Sequence, residues 1–181
     1  MPHTWADWVH AIITTYGTWL PGDPRGFRDH GHRVHSSGDY KSPPPAGEHA
    51  GLLDRSRRAV KSKIGLPPEH RQAVAGSLVS KLDELGHPVR ILAVNATHVH
   101  LMVRVGQRDA KPVIGLAKQR ASLDARSWLQ GGLWAHGCHL VRVFSDEHYH
   151  TLIRYIAEHA DEGAFVWVHP TCRRAESGDP T

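Results

Sequence analysis

A chain of 181 residues with 40% hydrophobic content can bury one substantial core and does not call for a second. Lys and Arg outnumber Asp and Glu by 22 to 18, a formal +4 that favours polyanionic partners without requiring them. No stretch approaches the ~18 apolar residues of a membrane span, the N-terminus lacks the basic-then-apolar layout of a secretory signal, and Cys138 and Cys172 fit neither a zinc pattern nor a disulfide framework; a soluble cytoplasmic protein with no membrane partner is expected.

Trp8 to Trp19, rich in β-branched and aromatic residues, reads as a first strand closed by Leu20-Pro21-Gly22-Asp23-Pro24. From Arg25 to Ala50 the composition turns to Gly, Pro, His and Ser around Pro43-Pro44-Pro45, a loop or insertion with too little apolar surface to order itself and with His30, His32 and His35 as solvated loop residues. Leu52 to Lys63 and Pro68 to Leu85 have helical spacing, and Gly86 stops the second. Arg55, Arg57, Arg58, Lys61 and Lys63 cluster on the first of these, either as a solvated face or as the basic face that a phosphate backbone needs. Val89 to Val94 and His98 to Val105 make an antiparallel hairpin across Asn95-Ala96-Thr97. Pro112 to Leu129 reads as a helix, Leu133 to Phe144 as a strand, Asp146 to Glu162 as a helix capped by Ser145, and Ala164 to Val168 as a short strand before a polar tail over 171–181. This order predicts an α+β sandwich with an antiparallel sheet and helices packed on one face.

Two elements carry chemistry. Strand alternation sends His98 and His100 to one face while Val99, Leu101, Val103 and Val105 take the other, which makes a two-imidazole platform for a metal. A His-x-His among 16 histidines arises readily by chance, so the second element matters. In the last helix Leu152, Ile153, Ile156 and Ala160 form an apolar stripe that includes Tyr149, whereas Tyr155 and His159 stand one turn apart beside it and can point together across the helix edge.

A His-x-His on a strand followed by Tyr-x-x-x-His on a later helix resembles the HUH single-tyrosine transposases, and most closely the REP-associated tyrosine transposases. Three blocks carry the resemblance in order over about 140 residues: Tyr16-Gly17-Thr18-Trp19-Leu20-Pro21-Gly22-Asp23, Asn95-Ala96-Thr97-His98-Val99-His100-Leu101 and Tyr155-Ile156-Ala157-Glu158-His159. The resemblance implies one transposase domain over residues 1–181 with a ferredoxin-like fold. It makes His98, His100 and His159 ligands of a divalent ion, Mg²⁺ or Mn²⁺, and Tyr155 the nucleophile. The middle block has Asn-Ala-Thr where Met-Pro-Asn is frequent, and His159 stands where Asn or Gln is frequent; neither change removes a needed group, though three imidazoles leave Co²⁺, Ni²⁺ and Zn²⁺ open as well.

The implied reaction nicks and rejoins single-stranded or hairpin DNA, palindromic repeats included, through a 5′-phosphotyrosine with release of a 3′ hydroxyl. A phenol with pKa near 10 is a poor nucleophile at neutral pH, and a bound divalent ion would polarise the phosphate and position it for in-line attack. Arg55, Arg57 and Arg58 are candidate DNA contacts, and Trp19 and Trp134 candidate stacking platforms for unpaired bases. The protein is expected as a monomer or homodimer. Two rivals remain at this level: a domesticated, non-catalytic hairpin-binding protein on the same fold, and a small metal-dependent hydrolase that uses the histidines without a tyrosine.

Overall fold

The computed structural model describes residues 5–24, 26–29, 32–34, 42, 44, 45 and 47–170. Its first strand, β1 (Trp8–Thr14), is buried along most of its length because both of its faces are covered. β2 (Arg28–Asp29) and β3 (His32–Arg33) pair as a separate two-stranded ribbon. Next to this ribbon Phe27 is buried, with its ring edge-on to His49 at 5.1 Å, and Val34 N donates to Phe27 O at 2.9 Å. His30, His35, Pro43, Cys172 and the tail over 171–181 lie outside the described residues.

α1 (Ala50–Ala59) buries no residue, whereas α2 (Pro68–Glu84) buries Val74, Ala75, Leu78, Val79 and Leu82. Pro68 opens α2 at a position whose N–H would be unpaired in any case. β4 (Val89–Val94) and β5 (His98–Arg104) form the expected hairpin, closed by a bond from Asn95 N to His98 O at 2.9 Å. α3 (Ala110–Asp124) starts two residues before the expected Pro112, because Asp109 accepts from Lys111 N and caps the helix earlier. It gives way after Asp124 to the 3-10 turn Ala125–Ser127.

The expected strand from Leu133 to Phe144 shrinks to a bridge between Thr15 and Trp134 and a four-residue strand, β6 (His139–Arg142). Gly137, at φ 69°, turns the chain between them. α4 (Asp146–Glu158) is capped by Ser145 Oγ, which accepts from His148 N at 3.0 Å. The regular helix stops four residues short of Glu162. Tighter turns continue to Gly163, where Ala164 N donates to His159 O and Gly163 N to Ala160 O, the paired bonds of a Schellman stop. β7 (Phe165–Val168) completes the order.

The five-stranded sheet runs β6-β1-β5-β4-β7, and all neighbours are antiparallel. Without β7 this is the split β-α-β arrangement of the ferredoxin-like fold, with β7 added outside β4. The α+β class and antiparallel sheet agree with the expectation, but the helices occupy both faces rather than one. Val9, Ala11 and Ile13 of β1, Leu92 and Val94 of β4 and Val99, Leu101 and Val103 of β5 pack with α2 and α3. On the opposite face Trp8, Ile91, Ala93, Met102 and Val143 pack with Tyr149, Leu152 and Ile156 of α4. β5 sits between two apolar layers, so its histidine side also needs a cover, and α4 supplies it. Each fully buried aliphatic side chain in these layers contributes about 1.5–3 kcal/mol. No helix among the described residues is long and apolar enough to cross a membrane.

Candidate metal centre

The α4 face of the sheet is where the histidines meet. Register places His100 opposite Ile12 and His10 opposite Met102, so His10 and His100 are diagonal neighbours on adjacent strands, within reach for rings of this size. Their ring nitrogens are joined directly, His10 Nε2 to His100 Nδ1 at 2.9 Å. His98 lies one alternation earlier on β5, opposite Thr14. The hairpin that presents it is tied down on two sides: Thr15 N and Oγ1 donate to Thr97 O at 2.9 and 3.0 Å, and Leu66 N donates to Ala96 O at 2.6 Å.

His159 arrives from the other layer. It follows the last residue of α4, and its ring stacks on His100 with centroids 4.5 Å apart. One ligand atom from each of His98, His100 and His159 lies within 4.8 Å of the others, and among the described residues this is the one group of three or more His, Cys, Asp or Glu side chains so arranged. His159 Nδ1 bonds Glu162 Oε2 at 2.8 Å across the tight turn, while its Nε2 is buried with no partner. A buried polar nitrogen without a partner is costly, and a cation at the centre of the three rings would satisfy it. His98 makes two long hydrogen bonds, its Nε2 with Asn95 Nδ2 and its Nδ1 with Thr97 Oγ1, both at 3.3 Å. The donor set fits a divalent ion.

Electrostatics prepare the rings for that task. Burial, reinforced by neighbouring histidines, brings His10 down to about 4 and His100 to about 3, and burial also lowers His98. The lowered values keep these imidazoles neutral at pH 7, the form that ligates. His10 and Glu162 each engage the second nitrogen of a candidate ligand and thereby fix its ring orientation. Neither was singled out in the sequence. The available signal for His10 was a polar residue inside a buried central strand, and Glu162 required knowing that the chain tightens after Glu158.

Tyr155 stands where the helix geometry put it, 43% exposed, with its ring edge-on to His100 at 5.3 Å and to His159 at 5.0 Å. Tyr149 is 5% exposed, against Trp8 at 5.6 Å. The basic and aromatic candidates are not gathered at the histidines. Arg55, Arg57 and Arg58 are exposed on α1, Arg57 with a 3.8 Å approach to Asp54 that is worth little at the surface. Trp19 is half exposed, its Nε1 donating to Gly26 O at 2.6 Å. Trp134 is partly buried against the core, and its Nε1 donates to Lys118 O at 2.9 Å.

Two results follow from this arrangement. Replacing His10 or Glu162 by Ala is expected to weaken Mn²⁺ binding about 10- to 100-fold, the usual effect of losing a partner of a ligating histidine, as read by titration calorimetry. Acid is expected to weaken the fold as well. The folded-state values of His10 and His100 lie below their ordinary 6.5, so their contribution is intact above about pH 6.5 and lost as pH falls toward 3–4. Unfolding midpoints measured from pH 7 to 4 should fall through that window, and by less in His10→Phe.

No family model and no curated protein matches the chain. Among solved structures the chain is similar to a REP-associated tyrosine transposase bound to a REP hairpin, with a TM-score of 0.51 and 7% identity, covering 90% of this chain and 72% of that one. At that identity the likeness concerns the fold.

Proposed function

We propose that the chain is a single-domain, metal-dependent HUH tyrosine transposase that nicks and rejoins single-stranded or hairpin DNA. The observation that carries this reading is the convergence of His98, His100 and His159 from two layers around an unsatisfied buried nitrogen, with an exposed tyrosine one turn before the third histidine. The fold shared with a transposase that binds a DNA hairpin supports the same substrate class.

In this reading His98, His100 and His159 hold Mg²⁺ or Mn²⁺, which when bound supplies charge stabilisation to the scissile phosphate. With His100 ligating through Nε2, its Nδ1 carries the proton and donates to His10 Nε2. His159 ligates through Nε2 while Nδ1–H donates to Glu162. Tyr155 Oη attacks phosphorus in line with the O3′ leaving group; the Oη–P bond forms, the P–O3′ bond breaks, the phenol proton is lost and the 3′ oxygen gains one. Return attack by a 3′ hydroxyl reseals the strand without an external energy source. Exposure of Tyr155 leaves room for an unpaired strand at the phenol.

The deciding experiment is incubation of the protein with a labelled single-stranded oligonucleotide and Mn²⁺. A protein–DNA adduct that survives denaturing electrophoresis is expected, and cleavage without an adduct would point to the hydrolase instead. Affinity for a hairpin should fall steeply with salt because phosphate contacts release counterions, and Arg55→Ala, Arg57→Ala or Arg58→Ala should each reduce the slope of log affinity against log salt by about 1 if that residue meets phosphate.

A further inference from the structure

His98 differs from the other two candidate ligands in what surrounds its ring. His100 and His159 each have Nδ1 engaged, by His10 and by Glu162, which leaves Nε2 to face an ion. His98 repeats half of that arrangement: its Nδ1 lies 3.3 Å from Thr97 Oγ1, a hydroxyl able to accept the Nδ1 proton. Its Nε2 meets a second polar group, the side-chain amide of Asn95, with Nδ2 at 3.3 Å.

The hairpin puts Asn95 there. Ala93 pairs with His100 and Val94 with Val99, and Asn95 N donates to His98 O at 2.9 Å, so Asn95 and His98 are the next pair and leave the sheet on the same face. The turn between them is held from below, by Thr15 on Thr97 O and by Leu66 on Ala96 O, which limits how far the pair can separate. Asn95 is 7% exposed. An amide so deeply buried has two N–H donors and an oxygen with two lone pairs to satisfy, and the single long bond to His98 uses little of that capacity. Its oxygen and nitrogen ends have nearly the same shape, so a half-turn about the last side-chain bond puts Oδ1 where Nδ2 stands. In a six-coordinate shell with bonds of about 2.0–2.2 Å, adjacent ligand atoms are roughly 3 Å apart. An oxygen at the Asn95 position has about that spacing from His98 Nε2.

We propose that the amide oxygen of Asn95 is a fourth protein ligand of the metal centre, beside His98 Nε2, and that it turns a three-imidazole site toward Mn²⁺ or Mg²⁺ and away from Zn²⁺. The inference rests on the metal-centre reading of His98, His100 and His159. Imidazoles alone suit Zn²⁺, Ni²⁺ and Co²⁺ at least as well as Mn²⁺, whereas an amide carbonyl is a hard donor of the kind that Mg²⁺ and Mn²⁺ take. His98 then ligates in the same way as its two companions, through Nε2 with the proton on Nδ1, and Thr97 joins His10 and Glu162 as the group that fixes the ring.

The test is calorimetric titration of the full chain with Mn²⁺ and with Zn²⁺, in the absence of DNA. Asn95→Leu, close in shape and without an oxygen donor, should lower Mn²⁺ affinity at least about tenfold and Zn²⁺ affinity less than about threefold. Asn95→Asp keeps the oxygen and adds a charge, and should raise Mn²⁺ affinity about tenfold. Electron paramagnetic resonance of bound Mn²⁺ in ¹⁷O-enriched water should count one more coordinated water in Asn95→Leu than in the unaltered chain, a change that a residue acting only on the fold would not produce. Tighter Mn²⁺ binding by Asn95→Leu would mean that the amide competes with the ion for Nε2, and would overturn the proposal. Equal losses for the two metals, or an unchanged count of waters, would overturn it as well. Should Asn95→Leu fail to fold, Asn95→Asp decides, and no gain in Mn²⁺ affinity overturns the ligand. Mn²⁺ bound by the unaltered chain, lost in His100→Ala and unchanged in Asn95→Leu would remove Asn95 and leave the metal centre standing; no Mn²⁺ binding by the unaltered chain would remove both.

Discussion

Tyr155→Phe is expected to bind a single-stranded oligonucleotide within about twofold of the unaltered protein and to form no covalent adduct with it at all. Phenylalanine keeps the ring that lies edge-on to His100 and His159 and removes only the oxygen that would bond to phosphorus. Tyr149→Phe is the control on the same helix. Tyr149 is 5% exposed and its ring packs on Trp8, so its hydroxyl is sealed from a phosphate and the adduct should persist. An adduct formed by the Tyr155→Phe protein would mean that another side chain attacks, and loss of the adduct in Tyr149→Phe alone would reverse the assignment of the two tyrosines.

His100→Ala should lower adduct formation by at least about 100-fold, because an ion held by the three histidines would contribute several kcal/mol to the transition state and His100 is the middle one of the three candidate ligands. Mn²⁺ binding measured by calorimetry should disappear in parallel. The same change leaves His10 Nε2 without its 2.9 Å partner. That loss costs about 1–3 kcal/mol of stability, modest against the 5–15 kcal/mol of a typical domain, so the circular dichroism spectrum should be retained. Cleavage at an undiminished rate by a folded His100→Ala protein would remove the metal from the mechanism. A domesticated hairpin-binding protein would show the opposite pattern, with DNA bound in every variant and cleaved in none.

Two short-range rules make much of this candidate site legible in the sequence. Alternation along β5 separates His98 and His100 from Val99, Leu101 and Val103, and those valines and leucine do enter the core beneath α2 and α3. The apolar stripe of α4 separates Tyr149 from Tyr155 in the same way. What escaped depends on which layer an element joins. Local pattern tells that α4 has an apolar face and is silent on which side of the sheet receives it, so placing all helices together hid the fact that β1 needs a covered second face. His10 went unnoticed for that reason: in a one-faced sheet it would face solvent. The shortening of the 133–144 strand had a local cause in Gly137, whose left-handed backbone ends pairing with β1 before it resumes at His139. Beside the ribbon of β2 and β3, the buried Phe27 meets a histidine more than twenty residues away, a contact that no window of composition registers.

Tyr155 rides on α4, whose seat is the row Tyr149, Leu152 and Ile156, and His159 and Glu162 sit in the cap and tight turns that continue it, whereas His98 and His100 are fixed in the sheet below. Sliding or tilting that helix preserves the spacing between the phenol and His159 and alters its spacing to the other two rings. Each residue of helix advances about 1.5 Å, and a misplacement of about 1 Å at a reacting atom can cost on the order of 100-fold in rate. In the proposed reaction the apolar underside of α4 would act as the gauge: substitutions there that touch none of the candidate ligands would set how far the phenol oxygen must travel, and a slow variant with an intact ligand set should be sought first among those three side chains.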